Sequence, residues 1–304
     1  MNAKKVERES VMTAVKEKAY AKINLYIDVE KLRSDGFHDI ITVMHSLSLS
    51  DEVTATLVSC SQRKVTLTID GNKRLPTDAK NLCVIAANAF LERAAIDAEI
   101  VIKLNKRIPI SAGLAGGSSD AAAVLRALNK LFKRPLTDKV LLELALSVGS
   151  DVPYCLIGGT ALCKGRGERI ERIGSALSLH TVVAVAKEHV STPQAYKLLD
   201  EKYSSFDGSV DHSEPELLNR VCEGAKSGVL DLQRLYNIFE SVILPSCPGA
   251  MMIKERMTEL GASFSLMSGS GPSVFGIFPT EESAMMAKTV LEEEGITAFY
   301  AHSV

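Results

Sequence analysis

The sequence predicts an α+β protein with two domains. Several short strand-like segments precede the first long helices, and strands and helices do not alternate regularly, which favours α+β over a parallel α/β sheet. The chain has 304 residues, more than one domain of ordinary size contains. The order of the predicted elements indicates a division into residues 1–160 and 161–304.

Composition and charge exclude several classes of protein. Apolar residues make up 46% of the chain and charged residues 24%, with a formal net charge of −2, as is typical of a globular protein. No apolar run approaches the roughly 20 residues that cross a bilayer. The near-neutral charge argues against a broad basic surface for nucleic acid. We therefore expect neither a membrane nor a nucleic acid as the partner.

The cysteines and the N-terminal segment predict a cytoplasmic protein. None of the six cysteines forms a Cys-x-x-Cys pair or lies at zinc-finger spacing from histidines, so we expect no protein-bound metal and mostly buried free thiols. Residues 1–18 carry charges of both signs without an apolar stretch. This composition predicts a loose extension and not a secretory signal.

The first predicted strand, residues 21–29, alternates apolar and polar side chains, which is the period of a half-buried strand. The pattern places four polar-position residues on one face, opposite the core: Lys22, Asn24, Tyr26 and Asp28. A turn follows at residues 34–36. Further strands are predicted over residues 53–58, 65–69 and 99–104.

Helical periodicity and turn residues organise the rest of the chain. Helices are predicted over residues 82–93, 118–132, 137–148, 193–200, 214–225, 230–243, 250–260 and 281–294. A pair of strands, residues 264–267 and 274–278, flanks the turn Ser-Gly-Ser-Gly-Pro at 268–272.

A glycine-rich run before the helix at 118–132 carries the strongest chemical signal. Residues 109–122 read Pro-Ile-Ser-Ala-Gly-Leu-Ala-Gly-Gly-Ser-Ser-Asp-Ala-Ala. Glycines allow close backbone approach, and the first N–H groups of a helix attract anions, so the run suits a nucleotide triphosphate. The alternative is an ordinary helix cap supplied by Ser118 or Ser119. Neither the P-loop pattern nor the dinucleotide-binding pattern is present.

This run resembles the phosphate loop of the GHMP kinases, the galacto-, homoserine, mevalonate and phosphomevalonate kinases. Residues 21–25, Ala-Lys-Ile-Asn-Leu, and the turn at 268–272 match other family segments in the same order. Within the family, the chain is similar to the branch that acts on a cytidine-diphosphate-linked alcohol. The narrower similarity rests on residues 21–25, 35–38 (Asp-Gly-Phe-His), 149–153 (Gly-Ser-Asp-Val-Pro) and 237–240 (Asn-Ile-Phe-Glu).

The resemblance implies an α+β fold with a ribosomal-protein-S5-domain-2-like ATP-binding domain and a ferredoxin-like C-terminal domain. It also implies phosphoryl transfer from ATP to a hydroxyl group of a small alcohol in the non-mevalonate route to isoprenoid precursors. Two alternatives stay open: another GHMP kinase such as homoserine kinase, or a GHMP-fold sensor that binds ligand without turnover. The expected state is a monomer or a homodimer.

The resemblance implies catalytic roles for Asp151 and Lys22. Asp151 would be the base that accepts the hydroxyl proton, and Pro153 predicts an abrupt turn there because it prevents helical continuation. Lys22 would keep this carboxylate ionised and lower the pKa of the hydroxyl. Without the family match, a structural aspartate and a solvent-facing lysine would be the commoner interpretations.

The resemblance also implies two sets of binding residues. The ATP-binding residues are Asn81, Leu82, Lys106, Pro109, Ile110, Ser111, Ala112, Gly113, Leu114, Ala115, Gly116, Gly117, Ser118 and Ser119. The substrate-binding residues are Asn24, Phe37, His38, Met44, Tyr196, Gly269, Ser270 and Gly271. His38 would recognise the cytosine edge and an aromatic ring would stack on the base. Mg²⁺ would be held mainly by phosphate oxygens.

The sequence departs from the family pattern at two positions. Ala115 stands where the family frequently has glycine, which matters if that position needs a positive φ. Phe37 stands where the family usually has tyrosine, so stacking is retained and a hydroxyl hydrogen bond is lost.

Overall fold

The computed structural model describes residues 13–71, 75–174, 177–203 and 215–304. Most of the predicted N-terminal extension, residues 1–12, lies outside the described residues. The remainder of it is wrong as a prediction, because residues from Ala14 onward belong to the first strand.

The elements of the first part of the chain follow in order. They are β1 (Ala14–Leu32), β2 (His38–Ser59), β3 (Lys64–Asp70), α1 (Leu82–Arg93), β4 (Glu99–Asn105), α2 (Gly116–Leu131), α3 (Asp138–Val148), α4 (Val152–Ile157), β5 (Thr160–Gly165) and β6 (Arg169–Gly174). The six strands belong to one sheet in the order β3-β4-β2-β1, with β5 paired to β2 and β6 paired to β5. A core of buried side chains joins the β1, β2 and β4 strands to α1, α2 and α3.

The second part of the chain builds a smaller sheet. Its elements are β7 (His180–Val185), α5 (Thr192–Tyr203), α6 (Pro215–Ser227), β8 (Tyr236–Asn237), α7 (Glu240–Ile243), α8 (Pro248–Glu259), β9 (Phe264–Met267), β10 (Ser273–Phe278), α9 (Glu281–Glu293) and β11 (Thr297–His302). The sheet order is β11-β7-β10-β9, and β8 pairs in parallel with β1 of the first sheet. The predicted α+β class is confirmed.

The first strand differs from its predicted pattern. β1 is 19 residues long, and its pairing with β2 is interrupted by three register shifts. Because each shift moves side chains between faces, the alternation does not separate core from solvent. Lys22, Asn24, Tyr26 and Asp28 are all buried, so their predicted position opposite the core is wrong. The buried lysine and asparagine need polar partners.

One local prediction is confirmed and one fails. The helix α3 ends at Val148 and Asp151 lies in a turn, as predicted; Pro153 lies in the first turn of the separate helix α4, where its missing N–H costs nothing. The helix predicted over residues 230–243 is a short 3₁₀ turn, the two-residue strand β8 and the four-residue helix α7.

The predicted division between residues 160 and 161 falls at the start of β5. Because β5 and β6 pair within the first sheet, the topology favours a boundary after residue 174. That boundary stays a prediction.

Candidate active site

A cavity of about 1040 Å³ lies where the two parts of the chain meet. It is lined by β1 and β2, by the glycine-rich loop before α2, by α5, and by the turn between β9 and β10. Most of the predicted site residues therefore border one space. Of the predicted ATP-binding residues, all except Ser119 line the cavity, and of the predicted substrate-binding residues, all except Gly271.

The loop before α2 ends in a left-handed residue and not in a serine cap. Ala115 precedes the helix with φ +54° and makes no side-chain capping bond, and α2 begins at Gly116. The capping alternative for Ser118 and Ser119 is therefore wrong. The Ser119 hydroxyl donates to the Tyr20 carbonyl at 2.5 Å. The first N–H groups of α2 are left for a ligand in the cavity.

Gly113 joins the loop to the turn between β9 and β10. Its φ is +76°, and a Cβ atom there would lie 2.1 Å from the Ser268 carbonyl oxygen, so only glycine fits. Its own carbonyl oxygen accepts hydrogen bonds from Lys22 Nζ at 2.7 Å and from Ser268 Oγ at 3.0 Å. One peptide unit therefore connects the loop, β1 and the C-terminal turn.

A buried ionic cluster supports the beginning of the loop. Lys106 Nζ contacts the carboxylates of Asp51 and Asp120, the latter at 2.7 Å, and the second Asp51 oxygen accepts the N–H group of Ile108 at 2.7 Å. Burial opposes the charged form of Lys106, but Asp120 and Asp51 outweigh it and raise its pKa. Its ammonium is thus committed to these carboxylates, although it lies beneath Gly116.

Lys22 reaches the cavity from the middle of β1 with its side chain only 5% exposed. Its ammonium donates to Asn24 Oδ1 at 2.7 Å as well as to Gly113, and Asn24 Nδ2 donates to Thr42 Oγ1 at 2.8 Å. Burial lowers the pKa of Lys22, and the Asp151 carboxylate acts in the opposite direction. Asn24 therefore orients Lys22, a use of this residue that the sequence did not predict.

Asp151 precedes α4 and also lines the cavity. Its carboxylate makes neither a hydrogen bond nor a salt bridge with any residue in the described part of the chain. Lys22 lies close enough for the Asp151 charge to raise the pKa of the lysine, against the larger effect of burial. The neighbouring thiols of Cys155 and Cys163 are neutral, since burial raises the pKa of each to about 12. The free anionic group at this end of the cavity is thus Asp151.

A cluster of rings forms the opposite end of the cavity. His38 begins β2 and stacks on Tyr196 of α5 with ring centroids 4.7 Å apart, and Tyr196 forms a T-shaped pair with Phe239. His38 Nε2 lies 2.8 Å from an Asp200 carboxylate oxygen. Phe37 is 46% exposed and carries the Arg166 guanidinium over its ring.

The remaining predicted substrate residues come from β2 and the C-terminal turn. Met44 is buried beside Tyr154, Ala161 and Cys163. Asn237 Nδ2 donates to the carbonyl oxygens of Met267 and Gly269 at 2.7 and 2.8 Å, which fixes the turn next to Lys22. Gly271 is absent from the cavity lining and contributes a turn bond, from its N–H to the Ser268 carbonyl.

Sequence reasoning missed five cavity residues with charged side chains: Lys80, Asp120, Arg166, Lys197 and Asp200. Of these, Asp200 and Arg166 contact the ring cluster. Asp200 lies four residues after Tyr196 on a predicted helix, so helical spacing alone places both on one face. Arg166 stands between Gly165 and Gly167, a local pattern of a tight turn.

Within residues 13–71, 75–174, 177–203 and 215–304, no cluster of three or more His, Cys, Asp or Glu side chains is arranged to hold a metal ion. In the same ranges, no helix is both long and apolar enough to cross a membrane.

Comparisons with known proteins agree on a family. The family models "GHMP kinases N terminal domain" and "GHMP kinases C terminal" match residues 81–159 and 217–296. A 4-diphosphocytidyl-2-C-methyl-D-erythritol kinase of Caldicellulosiruptor saccharolyticus is 39% identical over 89% of this chain and 90% of its own.

Two solved structures are similar to the whole chain. A 4-(cytidine 5'-diphospho)-2C-methyl-D-erythritol kinase has a TM-score of 0.77 and 30% identity, over 95% of this chain and 98% of its own. A homoserine kinase from Cytophaga hutchinsonii has a TM-score of 0.75, over 98% of this chain and 97% of its own. Its identity is 22%, so this second similarity concerns the fold alone.

Proposed function

Because the chain belongs to the GHMP kinase family and, within it, to the 4-diphosphocytidyl-2-C-methyl-D-erythritol kinases, we propose that it transfers the γ-phosphoryl group of ATP to the 2-hydroxyl group of that cytidine-linked alcohol. This reaction belongs to the non-mevalonate route to isoprenoid precursors. The observation that carries the proposal is the unpartnered Asp151 carboxylate, which shares one cavity with Lys22, the glycine-rich loop and the His38 cluster.

Asp151 is the base in this proposal. A carboxylate with no protein partner is free to accept the proton of the attacking hydroxyl group, and general-base catalysis requires that group within hydrogen-bond reach. It lies directly before α4, on the short connection of residues 149–151 that follows α3.

Lys22 stabilises the negative charge that develops on the attacking oxygen. Its ammonium is held by Asn24 and Gly113 and is shielded from water, and a fixed cation acts most strongly in a buried site. Asp151 favours the charged form of Lys22.

The loop over residues 109–118 binds the ATP phosphates through backbone N–H groups at the start of α2. Asn81 and Leu82, at the beginning of α1, line the same side of the cavity. Asp120 lines the cavity too, and its Oδ1 atom is buried without a hydrogen-bond partner. This oxygen and the Ser118 hydroxyl would suit a Mg²⁺ ion bound mainly by phosphates. When bound, Mg²⁺ neutralises phosphate charge.

His38 reads the cytosine base. We assign the ring proton to Nε2, which lies 2.8 Å from Asp200 Oδ1, so that Nδ1 is an acceptor. The 4-amino group of cytosine is a donor, whereas uracil presents an oxygen at that position. Phe37 offers the base the ring face that Arg166 leaves open, and Tyr196 fixes the plane of His38.

The alternatives from the sequence have less support. The similarity to a homoserine kinase concerns the fold, and that activity leaves the His38 cluster without a use. A sensor without turnover has no need of an unpartnered Asp151 beside Lys22. We also propose a cytoplasmic location, which the free cysteines of the described residues support.

The test is ADP release with the cytidine-linked alcohol and, separately, with homoserine. We expect turnover with the first alone, and a fall in kcat of about 10²- to 10⁴-fold in Asp151→Asn with an unchanged Kd for ATP. Asp97→Asn, an exposed carboxylate on the surface, is the matched control. Equal turnover of both alcohols, or normal kcat in Asp151→Asn, contradicts the proposal.

A further inference from the structure

Arg166 occupies the tip of the hairpin between β5 and β6, held in one position by its neighbours. Gly165 and Gly167 have φ of +74° and +106°, a tight turn that a side chain would strain. The N–H group of Arg166 donates to Glu168 Oε2 at 2.5 Å. A Cβ atom on Gly167 would lie 3.6 Å from the Ser150 carbonyl oxygen, so the turn packs against the residue before Asp151.

The Arg166 side chain connects the two ends of the cavity. Its guanidinium carbon lies 3.5 Å from the centre of the Phe37 ring, and Nη2 donates to Ser150 Oγ at 3.3 Å. Phe37 belongs to the ring cluster around His38, which would bind the cytosine and is called the cytidine end below, whereas Ser150 directly precedes Asp151. The guanidinium therefore lies between Phe37, which would stack on the cytosine ring, and the segment that carries Asp151, which would accept the hydroxyl proton.

The guanidinium retains unused donors. Arg166 Nε is buried without a hydrogen-bond partner, and none of the described carboxylates forms a salt bridge with this side chain. By contrast, Lys106 is neutralised by Asp51 and Asp120, and Lys197 pairs with Glu201 at 3.6 Å. A planar guanidinium whose N–H donors have no carboxylate partner is suited to bind a phosphate group.

The carboxylates around this part of the cavity would repel a bound diphosphate unless a cation lies there. Asp200 lines the cavity beside His38, and Asp151 lines it on the other side of the guanidinium, next to Ser150. A diphosphate that enters beside these carboxylates is repelled unless a positive group faces it. Arg166 supplies that group at the required place.

We propose that Arg166 binds the diphosphate that links the cytidine to the alcohol, an inference that rests on the proposed function. In the substrate, the diphosphate lies between the base and the reacting alcohol, and Arg166 lies between Phe37 and Ser150. The residue selects a nucleoside diphosphate over a free nucleoside, and it positions the alcohol through the diphosphate without contacting the reacting oxygen.

The test compares CDP with cytidine as ligands, by calorimetry with a non-hydrolysable ATP analogue saturating the nucleotide site. Arg166→Gln is expected to weaken CDP about 10- to 100-fold, the range for bonds between charged groups, and cytidine less than about threefold. Arg169→Gln, exposed on the same hairpin, is the control. Equal losses for CDP and cytidine, which indicate an effect through Phe37, overturn the inference, as does an unchanged affinity for CDP.

Two further measurements keep the outcome unambiguous. Arg166→Lys keeps the charge and is expected to lose less CDP affinity than Arg166→Gln, again with cytidine unaffected, so it carries the test if the glutamine variant fails to fold. Turnover of the cytidine-linked alcohol by the unaltered enzyme is measured first. Failure there contradicts the proposed function, whereas normal turnover with equal ligand losses contradicts the role of Arg166 alone.

Discussion

The two ends of the cavity are built in different ways. The proposed nucleotide end is formed mainly by one continuous segment, residues 109–118, whose polar contribution is mostly backbone. The proposed cytidine end is assembled from side chains on separate elements: His38 on β2, Arg166 after β5 and Tyr196 and Asp200 on α5. Between the two ends lie Lys22 and Asp151.

This difference predicts opposite sensitivities to substitution. A backbone-built site tolerates the loss of a side chain but not an added Cβ atom, because its donors are N–H groups. A site built from side chains loses specificity with each truncation while the fold persists.

The largest expected effect concerns the centre that both ends share. Lys22→Ala removes the cation held by Asn24 and Gly113, and we expect kcat to fall about 10²- to 10³-fold while ATP binds normally. Single-turnover kinetics and ATP titration measure the two quantities. Lys16→Ala, an exposed lysine on the same strand, is the control. A normal kcat in Lys22→Ala removes this residue from the reaction.

An added methyl group tests the backbone-built end. Gly113→Ala combines a left-handed φ with a clash against Ser268, and we expect a loss of at least about 2 kcal/mol in the free energy of unfolding and a raised KM for ATP. Gly295→Ala has the same φ of +76° and no neighbouring atom within 4 Å, so it isolates the strain, about 1 kcal/mol.

Urea unfolding of both variants separates strain from clash. A Gly113→Ala variant as stable as Gly295→Ala, with an unchanged KM for ATP, contradicts the close packing of the loop on the C-terminal turn. Ser111→Ala, which truncates a side chain in the same loop, is expected to change neither quantity appreciably.

The smallest expected effect tests the side-chain-built end. Asp200→Asn releases His38 from its fixed tautomer, and we expect KM for the cytidine-linked alcohol to rise about 3- to 10-fold, with KM for ATP unchanged. Preference for a cytidine over a uridine ligand should fall in parallel. Glu201→Gln, the next residue on α5, is the control. A rise in KM with intact base preference points to a general disturbance of α5.

How well each end of the cavity can be predicted from the sequence depends on whether its residues are contiguous in the chain. The glycine-rich loop is visible in the sequence because all its parts are contiguous, and Lys22 and Asp151 are found through the family segments that contain them. Asp200 and Arg166 are not, since their importance depends on contacts with His38 and Phe37, 162 positions away in the first case. Local patterns carry no such information.

The fold shows the same limit. The α+β class and most helices follow from periodicity, which local sequence contains. The burial of Lys22 and Asn24 does not, because register shifts in β1 and a second layer of structure cover the face that alternation assigns to solvent. Pro153 likewise fits a helix start or a helix end, and only the packing of α4 decides.

The carbonyl oxygen of Gly113 has a consequence for recombination between relatives. This oxygen accepts hydrogen bonds from Lys22 in the first strand and from Ser268, which lies 155 positions after Gly113. A methyl group on Gly113 would clash with the Ser268 carbonyl oxygen. The first strand, the loop and the C-terminal turn must therefore come from the same parent in a recombinant protein. A chimaera that takes them from different parents is expected to misalign the lysine.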